Sequence, residues 1–397
     1  MNPGARQHES PGRKSGWILD RITTKRSRSI RTFRCYVHAR PAVSCFITNR
    51  KMMEHFYNTA DADPQEIDRL LDRAIDMKEN DPSDTLADLE LMLIFLNPSL
   101  RTRVSFETGM RALGGNVTTL DMEKDAAYAF EYEMGTVMDG AKSEHVKEAA
   151  GVLSRYCDAI AIRASELITT DETSEQSSPW SQLKQDRLFQ KFMEHASVPI
   201  INMESNLYHP CQGLGDAMTM KEEFHRPSDK KYVLTWTYHP KPLPVATPHS
   251  QALSACDLGM DVTIAHPPGW DLDDDVMDQI QDRSAQTGAS VDVQHDQEQA
   301  VQNADVVCAK SWGAIQHFGN WSEEQEKRQQ HRDWIVDRQL MQQTNNARFM
   351  HCLPVRRNVV VTDDVIDGQQ SIIHEQAENR KWAQMAVLNN LLQNSTN

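Results

Sequence analysis

Seven short apolar runs, separated by helical stretches, constrain the fold of this chain more than any other feature. They lie at residues 91–96, 159–162, 198–201, 232–235, 262–265, 306–309 and 348–350. Short continuous apolar runs of this kind read as strands covered on both faces. Their alternation with helical patterns at 145–156, 212–224 and 248–258 predicts an α/β chain of parallel sheets wrapped by helices. A length of 397 residues is enough for two such domains.

In sheets of this type, ligand-binding residues gather where strands end. The run 91–96 leads into Ser99-Leu100-Arg101-Thr102-Arg103, then into a helical stretch with apolar residues at 106, 110 and 113 that stops at Gly114-Gly115. This is a strand, a tight turn and a helix N-terminus. Free backbone N–H groups and the helix dipole make such a turn an anion site, and arginine suits multivalent phosphate binding. Three further polar groups follow strands. Arg163 closes 159–162, His209-Pro210-Cys211-Gln212 follows 198–202, and His351-Cys352-Leu353-Pro354 follows 347–350, with Arg356-Arg357-Asn358 next. Two look-alikes fall away. Residues 135–143 miss a Walker phosphate loop because Ala141 separates Gly140 from Lys142, and Gly213-Leu214-Gly215 lacks the third glycine of a dinucleotide turn.

S-x-R-T-R, H-P-x-Q and H-C-L-P together resemble the signature of the aspartate/ornithine carbamoyltransferases, from about Glu54 onward. The resemblance implies two doubly wound parallel-sheet domains with the active site in the cleft between them. It places a carbamoyl-phosphate domain at 52–224, completed by a C-terminal helix within 366–397, and an acceptor domain at 225–365. The family transfers the carbamoyl group of carbamoyl phosphate to an amine and needs no metal or cofactor. The implied carbamoyl-phosphate contacts are Ser99, Leu100, Arg101, Thr102, Arg163, His209, Pro210, Cys211, Gln212, Cys352, Leu353 and Arg380. Thr102, Arg163, His209 and Gln212 carry the chemistry. A family tryptophan that reaches the neighbouring subunit's site is missing, and Tyr128 is the residue that could replace it. The implied assembly is a homotrimer with shared active sites.

Two segments resemble the N-acylornithine branch. One is His239-Pro240-Lys241-Pro242-Leu243-Pro244, a proline-rich loop that belongs there to a knotted chain path. The other is Lys310-Ser311-Trp312-Gly313. The implied acceptor contacts are Ser143, Glu204, His239, Lys310, Leu353 and Arg356. Acetyl-specific members carry glutamate where this chain has Ser143, and a carboxylated lysine where it has Val360. Loss of that glutamate removes both charge repulsion and bulk facing a second carboxylate. The resemblance thus favours N-succinyl-L-ornithine as acceptor, in arginine biosynthesis, with N-acetyl-L-ornithine as the alternative. A paralogue that binds these ligands without turnover is the alternative from another class.

Charge is uneven. Residues 1–51 carry 12 Lys+Arg against 2 Asp+Glu, whereas the remainder carries −25 of the total −15. The acidic body excludes general nucleic-acid binding. The basic segment 1–51 resembles a transit peptide or a nucleic-acid arm in composition, but the reading preferred here is a start at Met52 or Met53. No run of 18 apolar residues suggests a membrane partner. Seven cysteines without C-x-x-C spacing suggest a reducing cytoplasm and no zinc site.

Overall fold

The computed structural model describes residues 53–80, 82, 84–122, 130–165 and 179–394. Its strands are β1 (Glu90–Phe95), β2 (Asn116–Asp121), β3 (Phe130–Glu131), β4 (Glu144–His145), β5 (Ala159–Arg163), β6 (Ile200–Glu204), β7 (Lys231–Trp236), β8 (Asp261–Ala265), β9 (Ser290–Gln294), β10 (Val306–Lys310) and β11 (Arg348–Met350). One sheet has the order β2-β1-β5-β6 and the other β11-β10-β7-β8-β9, with β3-β4 a small separate pair. Every pairing is parallel. The α/β reading and its seven strands stand.

Strand periodicity explains how the first sheet is covered. Leu91, Leu93 and Phe95 of β1 enter one core with the C-terminal helix Ile373–Asn394, while Met92 and Ile94 enter another with the helix Arg187–His195. Alternate side chains point to opposite faces, so a strand apolar at every position needs a cover on both. The second sheet is packed into a core of its own, rich in Val, Ala and Trp. Strand order reverses between β1 and β5 and again between β7 and β10. At those two switch points Phe95 pairs with Arg163, and Trp236 with Lys310. Ligand crevices form where neighbouring strands send their connections to opposite sides.

Several expectations need correction. The edge strands β2 and β9 were not foreseen, because their residues are largely half-exposed or exposed and polar. The chain around Asp186, polar in sequence, is anchored. Asp186 is buried and accepts from the Tyr57 hydroxyl at 2.6 Å and from the Asn206 and Leu207 amides. Trp180 donates to Asp273 at 2.6 Å. Val360 is buried in the second core. Among the described residues, no helix is long and apolar enough to cross a membrane, no group of metal-ligating side chains gathers, and the five cysteines are free.

One buried histidine gives the fold a predictable acid response. His249 donates from Nδ1 to the Leu207 carbonyl at 2.8 Å and accepts the Asp273 amide at Nε2. Burial pushes its pKa down to about 4, so the folded protein holds it neutral while the unfolded chain protonates near 6.5. The unfolded state therefore binds more protons in that window, and this contribution is lost as pH falls from 6.5 toward 4. Urea titrations should show H249Q losing less stability over that range than the wild type, by up to about 3 kcal/mol.

Candidate active site

The turn after β1 and the ends of β5, β6 and β11 converge with the last helix. Ser99 is the N-cap of helix Leu100–Ala112, but its hydroxyl donates to Thr102 Oγ1 at 3.0 Å instead of capping the backbone. Thr102 Oγ1 also accepts from Arg380 Nη2 at 2.6 Å, and Arg380 Nη1 donates to Gln212 Oε1 at 3.1 Å. Both Thr102 and Arg380 are buried. Close helix packing makes these contacts possible. A Cβ on Gly215 would stand 2.8 Å from Arg380 Cγ, and one on Gly213 would stand 2.6 Å from the Ser250 carbonyl oxygen.

A break in register at the end of β5 brings Arg163 opposite Glu204. The two form an ion pair, and Glu204 Oε2 also lies 3.4 Å from His209 Nε2. Burial, followed by the charges of Arg380, Arg163, Lys310 and Arg101, holds His209 neutral, well below the usual imidazole range. Burial pushes Arg380 down to about 10, which leaves it charged at neutral pH. Within the described residues, Arg101, Arg163, Arg380 and Lys310 thus share one region with the carboxylate of Glu204. The Nε atoms of Arg101, Arg163 and Arg380 and the Nδ1 of His209 are buried without a hydrogen-bond partner among the described residues. Donors and positive charge held this way define a site for a compact, multiply charged oxyanion.

The second lobe contributes two groups. Lys310, at the end of β10, is buried and bends back to its neighbour's carbonyl, Ser311 O, at 3.0 Å. The segment after it is fixed by Trp236 Nε1 and Arg328 donating to the Trp312 carbonyl, with Arg328 paired to buried Glu324. Gly313 N–H donates to Leu243 O at 2.8 Å, so the proline-rich loop lies against this segment. Arg356 Nε donates to His239 Nε2 at 3.0 Å, while His239 Nδ1 donates to Lys241 O at 2.8 Å. His239, pushed down to about 4 by burial, is a neutral acceptor with both ring nitrogens engaged. It therefore orients Arg356 and has no N–H left for a carboxylate. Leu353, with φ of 55°, precedes a cis proline, and its amide donates to His351 Nδ1 at 2.9 Å.

Some expected site residues are placed differently. The Leu100 side chain is 77% exposed, which leaves its backbone as the part facing the turn. The Cys211 thiol points into the first core toward Asn202 O, and burial raises its pKa to about 12. Pro210 is the first residue of helix Pro210–Glu223. Cys352 is half-buried, and burial raises its thiol pKa, although Arg101, Arg380 and Lys310 lower it. Ser143 is exposed just before β4. Tyr128 lies outside the described residues. Asp216, Gln251 and Gln376, which the sequence reading missed, form a buried layer behind Gln212. The four-residue step from Gln212 to Asp216 on one helix was the available signal.

Two parallel sheets with a cationic oxyanion site at their switch points define a group-transfer protein that handles a phosphorylated ligand. The chain belongs to the aspartate/ornithine carbamoyltransferase family. Residues 54–222 match the family's carbamoyl-phosphate-binding domain, and residues 245–391 match its aspartate/ornithine-binding domain. It is an enzyme, a carbamoyltransferase. Over 339 residues it is 44% identical to the N-acetylornithine carbamoyltransferase of Xanthomonas campestris pv. campestris, covering 85% of this chain and 97% of that protein. It is 37% identical over 308 residues to the N-succinylornithine carbamoyltransferase of Bacteroides fragilis, covering 77% of this chain and 87% of the relative. Among solved structures it resembles a glutamate-to-serine variant of N-acetyl-L-ornithine transcarbamylase, complexed with carbamoyl phosphate and N-succinyl-L-norvaline. That match has 44% identity and a TM-score of 0.80, and covers 85% of this chain and all of the other.

Proposed function

We propose that this enzyme carbamoylates the δ-amine of an N2-acylated L-ornithine, as a step of arginine biosynthesis. The observation that carries the reading is the set of guanidiniums from half-buried Arg101 and Arg163 and buried Arg380 beside Glu204, with buried Nε donors that lack a partner among the described residues. In this reading Arg101, Arg380 and the Ser99–Thr102 backbone cradle the phosphate. Thr102, Arg163 and neutral His209 hold the carbamoyl oxygen, where negative charge grows as the amine attacks. Donors fixed on that oxygen contribute a few kcal/mol each, on the order of 10²-fold in rate per donor. Gln212 Oε1 accepts from the carbamoyl NH2. The carbonyls of Cys352 and Leu353 orient the amine, and the departing phosphate takes its proton. Leu100, Val104, Met134 and Val137 are large, exposed apolar residues near the turn and the 132–143 loop, which fits burial in a homotrimer.

Two readings of the acyl group differ. Overall likeness favours N-acetyl-L-ornithine, since the relatives of that name are 43–44% identical and the succinyl ones 37%. The expectation of a succinyl acceptor therefore stands second. It rests on Ser143 as the counterpart of the acetyl enzymes' glutamate, and on the solved glutamate-to-serine variant that holds a succinyl ligand. Arg356, which has no carboxylate partner among the described residues, is the cation such a ligand would meet. Carbamoyl transfer to N-acetyl-, N-succinyl- and free L-ornithine at equal concentrations tests the reading. An acetyl preference supports the first reading and a succinyl preference the second, while transfer to free ornithine alone overturns both. S143E is expected to lower the succinyl-to-acetyl ratio of kcat/KM at least tenfold (about 1.4 kcal/mol).

A further inference from the structure

Asp216 is wholly buried, and three side-chain amides from three different helices donate to its carboxylate. Gln212 Nε2 reaches Oδ1 at 2.6 Å, Gln376 Nε2 reaches the same oxygen at 2.7 Å, and Gln251 Nε2 reaches Oδ2 at 2.9 Å. The donors sit on Pro210–Glu223, Ile373–Asn394 and Ala246–Asp257, so the carboxylate joins both lobes and the last helix. A carboxylate only accepts, so each amide must turn its NH2 toward Asp216 and its oxygen away. For Gln212 that oxygen meets Arg380 Nη1 at 3.1 Å. For Gln376 it receives the His351 backbone N–H at 2.8 Å, at the start of the 351–354 loop.

We propose that Asp216 is a positioning residue of the transfer reaction, which sets the amide orientation of Gln212 and, through Gln376, the start of the 351–354 loop. The proposal rests on the reading of Gln212 as a carbamoyl contact. An amide turned the other way would set its NH2 against the Arg380 guanidinium and present the wrong polarity to a carbamoyl NH2. The role belongs to acceptor geometry, not to charge. Gln212 and Gln376 share Oδ1, so an asparagine at 216 can keep its oxygen there and direct its NH2 at Gln251. Gln251 has a buried, unpartnered Oε1 and can rotate to receive it.

Four proteins test this: D216A, D216N, Q212E and the double variant D216N/Q212E, each checked for folding by circular dichroism and melting temperature. D216A is expected to lose about 10²-fold in kcat/KM for carbamoyl phosphate. D216N is expected to stay within tenfold of the wild type. In the Q212E background the sign reverses. Two carboxylates then face each other, and D216N, by removing one of the two charges, is expected to raise activity at least tenfold. A D216N loss as deep as that of D216A, or a D216N penalty in both backgrounds, overturns the proposal. If D216A does not fold, the D216N comparisons decide alone. If the wild type transfers nothing to any acylornithine, the functional reading fails separately. The melting temperatures still answer the positioning question, because D216N must stabilise Q212E.

Discussion

Replacing Arg380 by alanine is expected to lower kcat/KM for carbamoyl phosphate about 10³-fold, or ~4 kcal/mol of transition-state stabilisation. The guanidinium holds Thr102 and Gln212 together, and its Nε remains a buried, unpartnered donor. Lysine keeps the charge but not the planar fork, so R380K should recover only part of the loss. Binding provides an independent check. Inorganic phosphate should raise the melting temperature of the wild type, because it binds only the folded state, and that rise should disappear in R380A. Full activity in R380A would remove the last helix from the chemistry and leave the cradle to Ser99–Thr102.

The largest expected effect on stability lies away from the site. Arg283 and Asp257 form an ion pair at 3.1 Å, with side chains 2% and 0% exposed. The Arg283 guanidinium also donates to the Thr59 and Ala62 carbonyls at 2.7 Å each. It therefore ties helix Asp274–Thr287 of the second lobe to the segment that precedes helix Pro64–Asn80 of the first. R283M strands a buried carboxyl and takes the guanidinium away from the Thr59 and Ala62 carbonyls, and should cost about 3–5 kcal/mol in urea unfolding. Burial pushes Asp257 up to about 6 even though Arg283 lowers it, and losing that charge raises it further, so part of the loss should already be relieved as pH falls toward 6 and the stranded carboxyl takes a proton. The double variant R283M/D257L should recover much of the loss, because an apolar pair requires no desolvation of charge. A single-variant loss below about 1 kcal/mol would show that the pair contributes little.

What the sequence made legible was whatever burial makes periodic or continuous. The central strands β1, β5, β7, β8 and β10 are apolar along almost their whole length because helices or loops cover both faces. The edge strands β2 and β9 are partly exposed, so their polar residues resemble loop. The motif clusters at Ser99–Thr102, His209–Gln212 and His351–Pro354 stood out because strand ends concentrate polar residues. Asp216 did not stand out, since its partners Gln251 and Gln376 are brought to it only by helix packing across the whole chain. Cys211 misled for a related reason. It sits inside a polar motif, yet the helical turn rotates its thiol into the core. Asp186, although it lies in a polar stretch of sequence, is buried because Tyr57 and two backbone amides satisfy it, a relation no local pattern encodes.

The contact between Arg380 and Thr102 joins residues 278 positions apart in the chain. During synthesis, a chain that has reached only residue 372 already holds Ser99–Thr102, Arg163, His209 and Gln212, but neither Arg380 nor Gln376. Still attached to the ribosome, such a chain can fold much of both sheets while lacking one wall of the oxyanion site. The order of translation therefore delays activity until the last helix has emerged and docked.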